Sequence, residues 1–232
     1  MSMNIAIDGP AGAGKSTIAK RVAKELGFIY VDTGAMYRAM ALYILRHGVN
    51  EKEESAVAAV CDRIDVALRY VDGNQMVLLC GEDVSTEIRK EEVGNMASVT
   101  SVYPCVRQKL LSLQQDLAAR EDVIMDGRDI GTCVLPDAPL KIYLTASVET
   151  RAKRRYQELQ EKGQTCDLTE IMKDIEDRDY RDMHREISPL AQAEDAILVD
   201  SSDMTIEEVV AKITDLDAMK IQEQKRAVRS GY

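Results

Sequence analysis

Short apolar runs that stop at turn-forming residues alternate along this chain with stretches of helical period. Ile5-Ala6-Ile7 ends at Asp8-Gly9 and reads as a buried strand. Ile18, Val22 and Leu26 then recur on one side of a helix whose other positions include Lys20, Arg21 and Lys24. Phe28 to Val31 is a second strand, ending in Asp32-Thr33-Gly34, and Ala35 to His47 a second helix closed by Gly48. Val123 to Met125, Leu140 to Leu144 and Ala196 to Val199 give three more strands. Helical patterns cover 104–117, 147–162, 168–187 and 204–226 between and after them. Strand, helix, strand with short connections predicts an α/β fold, a doubly wound parallel sheet of five strands flanked by helices.

Residues 50–101 break that rhythm. Ala56 to Ile64 is a short amphipathic helix. Val66 to Val71, the turn Asp72-Gly73-Asn74 and Met76 to Cys80 spell a hairpin, and Gly81 to Val84 adds a turn with a small third strand. Helix resumes over 87–101. Antiparallel material inside a parallel pattern predicts an insertion, with small antiparallel strands and helices. The 147–162 and 168–187 helices are highly charged, with few apolar residues to pin them, which predicts a mobile helical lid. The expected organisation is a single domain: core at 1–37, 102–148 and 188–232, insertion at 38–101, lid at 149–187. The terminal Ser-Gly-Tyr is expected to fray.

Composition narrows the class. At 45 % hydrophobic residues the chain can build a sizeable core. No apolar run reaches the ~18 residues of a membrane span, and MSMNIAIDG does not read as a signal peptide. Five scattered cysteines, never as C-x-x-C, and two histidines argue against structural zinc and for reduced thiols, hence a cytoplasmic protein. A net charge of −10 repels polyanions, so no nucleic acid polymer is expected as partner. An anionic substrate must be small and met by a local cluster of arginines.

Between the first strand and first helix stands G-x-x-x-x-G-K-[ST], filled by Gly9, Pro10, Ala11, Gly12, Ala13, Gly14, Lys15 and Ser16, followed by Thr17. Phosphate oxygens need several backbone N–H donors converging on one spot, which brings main chain close to ligand and favours glycine. The helix N-terminus adds partial positive charge, Lys15 a full one, and Ser16 a hydroxyl able to ligate Mg²⁺. Average residue frequencies give this pattern by chance in roughly one chain in a hundred of this length.

Ligands of open parallel sheets bind at the carboxyl ends of the strands, so Asp32-Thr33-Gly34 and Asp126-Gly127-Arg128-Asp129 are the other positions of interest. Asp126 stands where a carboxylate can hold Mg²⁺ through water, or can simply form a turn. Arg128 and Asp129 place a cation beside an anion, suited to a phosphate and a base amine. Arg178, Arg181, Asp182 and Arg185, at i, i+3, i+4 and i+7, share one helix face. Spacing alone leaves that face balanced between anion binding and a solvated surface with an Arg178–Asp182 pair. Arg151, Arg154 and Arg155 lie on the preceding charged helix.

These motifs together resemble the bacterial cytidylate kinase family of P-loop enzymes. The resemblance rests on IAIDGPAGAGKST, DTGAMYR (32–38), GEDVSTEIR (81–89), DGRDIGT (126–132), PDAPLKIYLTAS (136–147) and RDYRDMHREISPL (178–190), and spans nearly the whole chain. It implies transfer of the ATP γ-phosphoryl to CMP or dCMP by a monomeric enzyme with Mg²⁺. By motif, Thr33, Arg38, Arg128 and Arg185 would grip the CMP phosphate; Thr33 stands where some family members have serine, and keeps the hydroxyl. Ser98, Arg107 and Asp129 would face cytosine, Arg178 and Asp182 the ribose, and Arg154 and Arg155 the migrating phosphoryl group. The resemblance also resolves the Arg178 face toward ligand binding. The Ser201-Ser202 stretch is the candidate for adenine contacts. Rival readings are a P-loop kinase for another monophosphate, such as UMP or AMP, and a GTPase-like switch, though N-K-x-D and a strand-end D-x-x-G are missing.

Overall fold

The computed structural model describes residues 3–71 and 73–230. Strand β1 (Ile5–Asp8) leads into α1 (Lys15–Leu26), and β2 (Ile29–Asp32) into α2 (Thr33–Arg46). Next come α3 (Glu54–Cys61), β3 (Val66–Val71), β4 (Asn74–Leu79), β5 (Glu82–Asp83) and α4 (Glu91–Thr100). The chain returns through α5 (Pro104–Arg120) to β6 (Val123–Gly127) and β7 (Leu140–Thr145). The charged helices α6 (Val148–Glu161) and α7 (Leu168–His184) precede β8 (Ile197–Asp200) and α8 (Ile206–Ser230). The five-stranded sheet has the order β2-β6-β1-β7-β8, with every pairing parallel.

Period-two alternation decides which face each strand residue serves. Ile5, Ile7 and Ile124 pack with Ile18 and Val22 of α1 and Val209 and Ile213 of α8. Ala6, Val123 and Met125 point the other way, to Met36 and Met40 of α2 and Val106 and Leu110 of α5. Runs that looked uniformly apolar are thus buried on both sides, as a parallel sheet requires. The second sheet, β3-β4-β5, is antiparallel and leans on α2. Gln75 ties it to the core, accepting from the Asp32 amide at 2.9 Å.

Three expectations were met differently. The helix expected over 87–101 is a 3₁₀ turn, Glu87–Arg89, and then α4, parted by Lys90 in an extended conformation. Ile88 and Val93 are both fully buried, and a spacing of five cannot put them on one side of a continuous helix. A π-turn at Ile130–Val134 went unanticipated. The charged helices carry a small core of their own, Ala152, Ile171 and Ile175, packed with Tyr156, Leu159 and Met172. Of the expected turn at 72–74, Asp72 lies outside the described residues, as do Gly231 and Tyr232 of the expected frayed end. Among the described residues no helix is long and apolar enough to cross a membrane.

Candidate active site

The phosphate loop is packed from below. A Cβ on Gly9 would lie 1.9 Å from the Leu144 carbonyl oxygen, so only glycine lets the loop cross the end of β7. Gly14 precedes α1 without a side-chain cap, leaving first-turn N–H groups for a ligand. Lys15 is buried, and its Nζ donates to the Gly9 and Pro10 carbonyls at 2.8 Å each. Burial, and then the Arg128 charge, push its pKa down to about 7. Ala11, Gly12, Lys15 and Ser16 line one side of a cavity of about 290 Å³. Ala13 is buried behind the loop and Thr17 is exposed on α1, so neither lines it.

Strands β1 and β2 end in the carboxylates Asp8 and Asp32, and β6 carries Asp126 just before its last residue, adjacent to Asp32 across β2 and β6. Ser16 Oγ donates to Asp126 Oδ2 at 2.9 Å, and the Tyr30 hydroxyl to Oδ1 at 2.8 Å. Burial, then neighbouring Asp32, raise the Asp126 pKa. A hydroxyl and a carboxylate side by side are the hard oxygen donors Mg²⁺ selects, so Ser16 and Asp126 fit that ion. The Thr33 hydroxyl donates to the Asp126 carbonyl at 2.7 Å. Asp8 accepts from the amides of Ile130 and Gly131, and so pins the π-turn. Burial raises its pKa to about 6 against those two bonds.

The opposite wall is arginine, most of its side chains held by a carboxylate or a carbonyl. Arg128 Nε donates to Asp182 Oδ2 at 2.8 Å. Asp129 accepts from Arg107 in a tight buried pair and from Arg185 at 3.4 Å. Arg38 donates to the Ile88 carbonyl at 3.2 Å, and Arg89 pairs with Asp32 at 3.1 Å. Arg178 lines the wall with its Nε buried and unpartnered among the described residues. Burial, then Arg128, push its pKa down to about 10. Burial would raise Asp182, yet Arg128, Arg178 and Arg185 together hold it below the usual carboxylate range. Ser98 of α4 completes the wall.

Thr33, Arg38, Ser98, Arg107, Asp126, Arg128, Asp129, Arg178, Asp182 and Arg185 therefore meet Lys15 and Ser16 around one cavity. Three of the expected arginines stand apart from it. Arg181 is exposed and bonds back to Asp177. Arg154 donates to the Ser201 carbonyl at 2.7 Å, and Arg155 pairs with Glu158 on the surface. The (i, i+4) pair of Arg178 with Asp182 is replaced by Arg128 with Asp182. Sequence reasoning missed Asp8, Arg89, Gly94 and Tyr37. Gly94 carries no motif signal; Asp8, Tyr37 and Arg89 lie within quoted motifs and could have been marked there. Arg107 lies 5.6 Å from the centre of the Tyr37 ring, and burial pushes that phenol up to about 12.

Comparison with known proteins agrees with this geometry. Residues 5–218 match the family model described as cytidylate kinase. A cytidylate kinase of Caldicellulosiruptor saccharolyticus is 54 % identical over 214 residues, 92 % of this chain and 95 % of that protein. One of Lactobacillus johnsonii is 52 % identical, again over 92 % of this chain and 93 % of the relative. A gluconokinase structure from Sinorhizobium meliloti 1021 shares the fold, with a TM-score of 0.51 at 13 % identity over 97 % of both chains.

Proposed function

The chain belongs to the cytidylate kinase family and transfers the γ-phosphoryl of ATP to CMP or dCMP, giving ADP and CDP or dCDP; we propose how its residues divide that work. The observation that carries the assignment is one cavity with Lys15 and Ser16 on one side and Arg38, Arg128, Arg178 and Arg185 on the other. The loop from Gly9 to Thr17 takes the donor phosphates, with Lys15 on the β- and γ-phosphates. Ser16, and Asp126 through water, hold Mg²⁺, which when bound neutralises charge on the donor phosphates.

The acceptor is a phosphate oxygen already ionised near pH 7, so no general base is required. Thr33, Arg38, Arg128 and Arg185 aim that phosphate in line with the donor. From α6, Arg154, whose Nη1 lies 4.0 Å from where a Gly14 Cβ would stand, and Arg155 add positive charge near the transferred group. Arg178 and Asp182 take the ribose hydroxyls.

Base choice follows from hydrogen-bond polarity. Asp129 gives two of its roughly four acceptor positions to Arg107 and Arg185, which leaves capacity for the cytosine N4 amine. Ser98 also accepts from N4, and Arg107 donates to N3 or O2. UMP would turn O4 against the carboxylate, and a mispaired buried polar group costs ~1–3 kcal/mol or more. In a coupled assay of ADP formation over CMP, dCMP, UMP and AMP, the two cytidine nucleotides should lead clearly. Faster turnover of UMP or AMP would overturn the assignment.

A further inference from the structure

Arg151 has no place in the scheme above and does not line the cavity, yet its side chain is only 4 % exposed and each of its three nitrogens has a partner. Nη1 donates to the Ala11 carbonyl of the phosphate loop at 2.8 Å, and Nε to the Ala146 carbonyl at 2.9 Å, just past β7. Nη2 pairs with Asp179 Oδ2 of α7 at 2.7 Å. Ile171, Ile175 and Asp179 are the buried residues of α7, spaced by four along one face; Arg151 and Ala152 are those of α6. The small core between these helices thus ends in an ion pair at the phosphate loop.

We infer that Arg151 is a positioning residue that holds the donor loop in its phosphate-binding shape, braced by Asp179 of α7. In a planar trans peptide the C=O and the following N–H point opposite ways. Fixing the Ala11 carbonyl on Arg151 therefore fixes the Gly12 N–H pointing away from it. Arg151 Cβ lies 3.4 Å from where a Gly12 Cβ would stand, so the same side chain also limits how far the loop can sag. Its other partner, Asp179, is flanked on α7 by Arg178 and Asp182, two residues of the acceptor wall. One rigid fork thus braces the donor loop against α7. Lysine, a point charge on a flexible stem, cannot hold the three directions at once.

The inference rests on the reading of Gly9 to Thr17 as the ATP site. The test is ATP and CMP kinetics, direct ATP binding by calorimetry, and thermal melting for wild type, Arg151→Lys and Asp179→Asn. Arg151→Lys keeps a charge for Asp179 and should melt near wild type, yet raise KM for ATP about tenfold, the worth of a lost charge-assisted bond, with KM for CMP within about twofold. Asp179→Asn should raise KM for ATP in the same direction although it touches no donor residue. A KM for ATP within about twofold of wild type in both variants, or an equal rise for ATP and CMP, would overturn the inference. If wild type itself binds no ATP, the reading of the loop fails instead.

Discussion

Gly94→Ala should separate stability from activity, because the nearest atoms a methyl group meets there all belong to Arg38, the residue proposed to hold the acceptor phosphate. Gly94 lies inside α4 with an ordinary helical backbone, so alanine fits its conformation. The added Cβ would stand 2.8 Å from Arg38 Nη1 and 3.3 Å from both Cζ and Nη2. That guanidinium lies flat on the glycine and must move. Alanine for glycine inside a helix gains about 0.5–1 kcal/mol, worth roughly 1–4 °C in melting temperature for a chain of this size, and offsets the lost bond to Ile88. Displacing one charged donor from the acceptor phosphate costs about 1.5–3 kcal/mol, or roughly ten- to a hundredfold in kcat/KM for CMP. The assay is coupled ADP formation against CMP at saturating ATP, beside a thermal melt. KM for ATP should stay within about twofold. A loss in kcat/KM for CMP below about threefold, or one accompanied by a fall of several degrees in melting temperature, would refute the placement of Arg38.

Two further outcomes follow from the charges. Arg128→Ala should lower turnover by about 10³-fold or more, the order seen when a phosphoryl-stabilising arginine is lost, whereas Arg226→Ala, at the far end of α8, should match wild type in the same assay. Lys15, pushed from 10.5 to about 7, holds fewer protons in the folded than in the unfolded chain across that range, so its contribution to stability rises with pH from about 7 to 10.5. Bound phosphate restores the charged form, so ATP binding near pH 8.5 should take up a proton. Calorimetry in two buffers of different ionisation enthalpy would show it, and Lys15→Met should abolish it.

How much of this was legible in the sequence depends on how far apart the cause lies. The strands could be read because each is a short apolar run bounded by turn residues. The phosphate loop could be read because its requirement is local. Asp32, Thr33, Asp126, Arg128 and Asp129 could be read because ligands bind at strand ends, whereas Arg38, Ser98, Arg107 and the Arg178 face were legible only through the family resemblance. Arg151 could not: its loop partner is 140 residues away, and nothing in a charged helix sets it apart from Arg154 and Arg155. The break at Lys90 was hidden because 87–101 satisfies helical period on average, while Ile88 and Val93 satisfy burial only when the helix is interrupted. The charged helices looked unpinned since their apolar residues are few, but those few are spaced to meet.

The aspartates and the arginines of the cavity answer one physical requirement. Several half-buried guanidiniums facing one another repel, and burial alone already pushes Arg38, Arg178 and Arg185 toward the neutral form. A cavity of bare arginines would collapse or fill with counterions. Asp32, Asp129 and Asp182 prevent this by pairing with Arg89, with Arg107 and Arg185, and with Arg128. In this reading, Asp129 and Asp182 also recognise the base and the ribose, so the groups that hold the arginines in place are the groups that select the nucleotide. An acceptor phosphate then meets donors already aimed, without reorganising them, which is the condition under which electrostatic stabilisation of a transferring phosphoryl is most effective. The chain's net charge of −10 disfavours larger polyanions that the same arginines would otherwise attract.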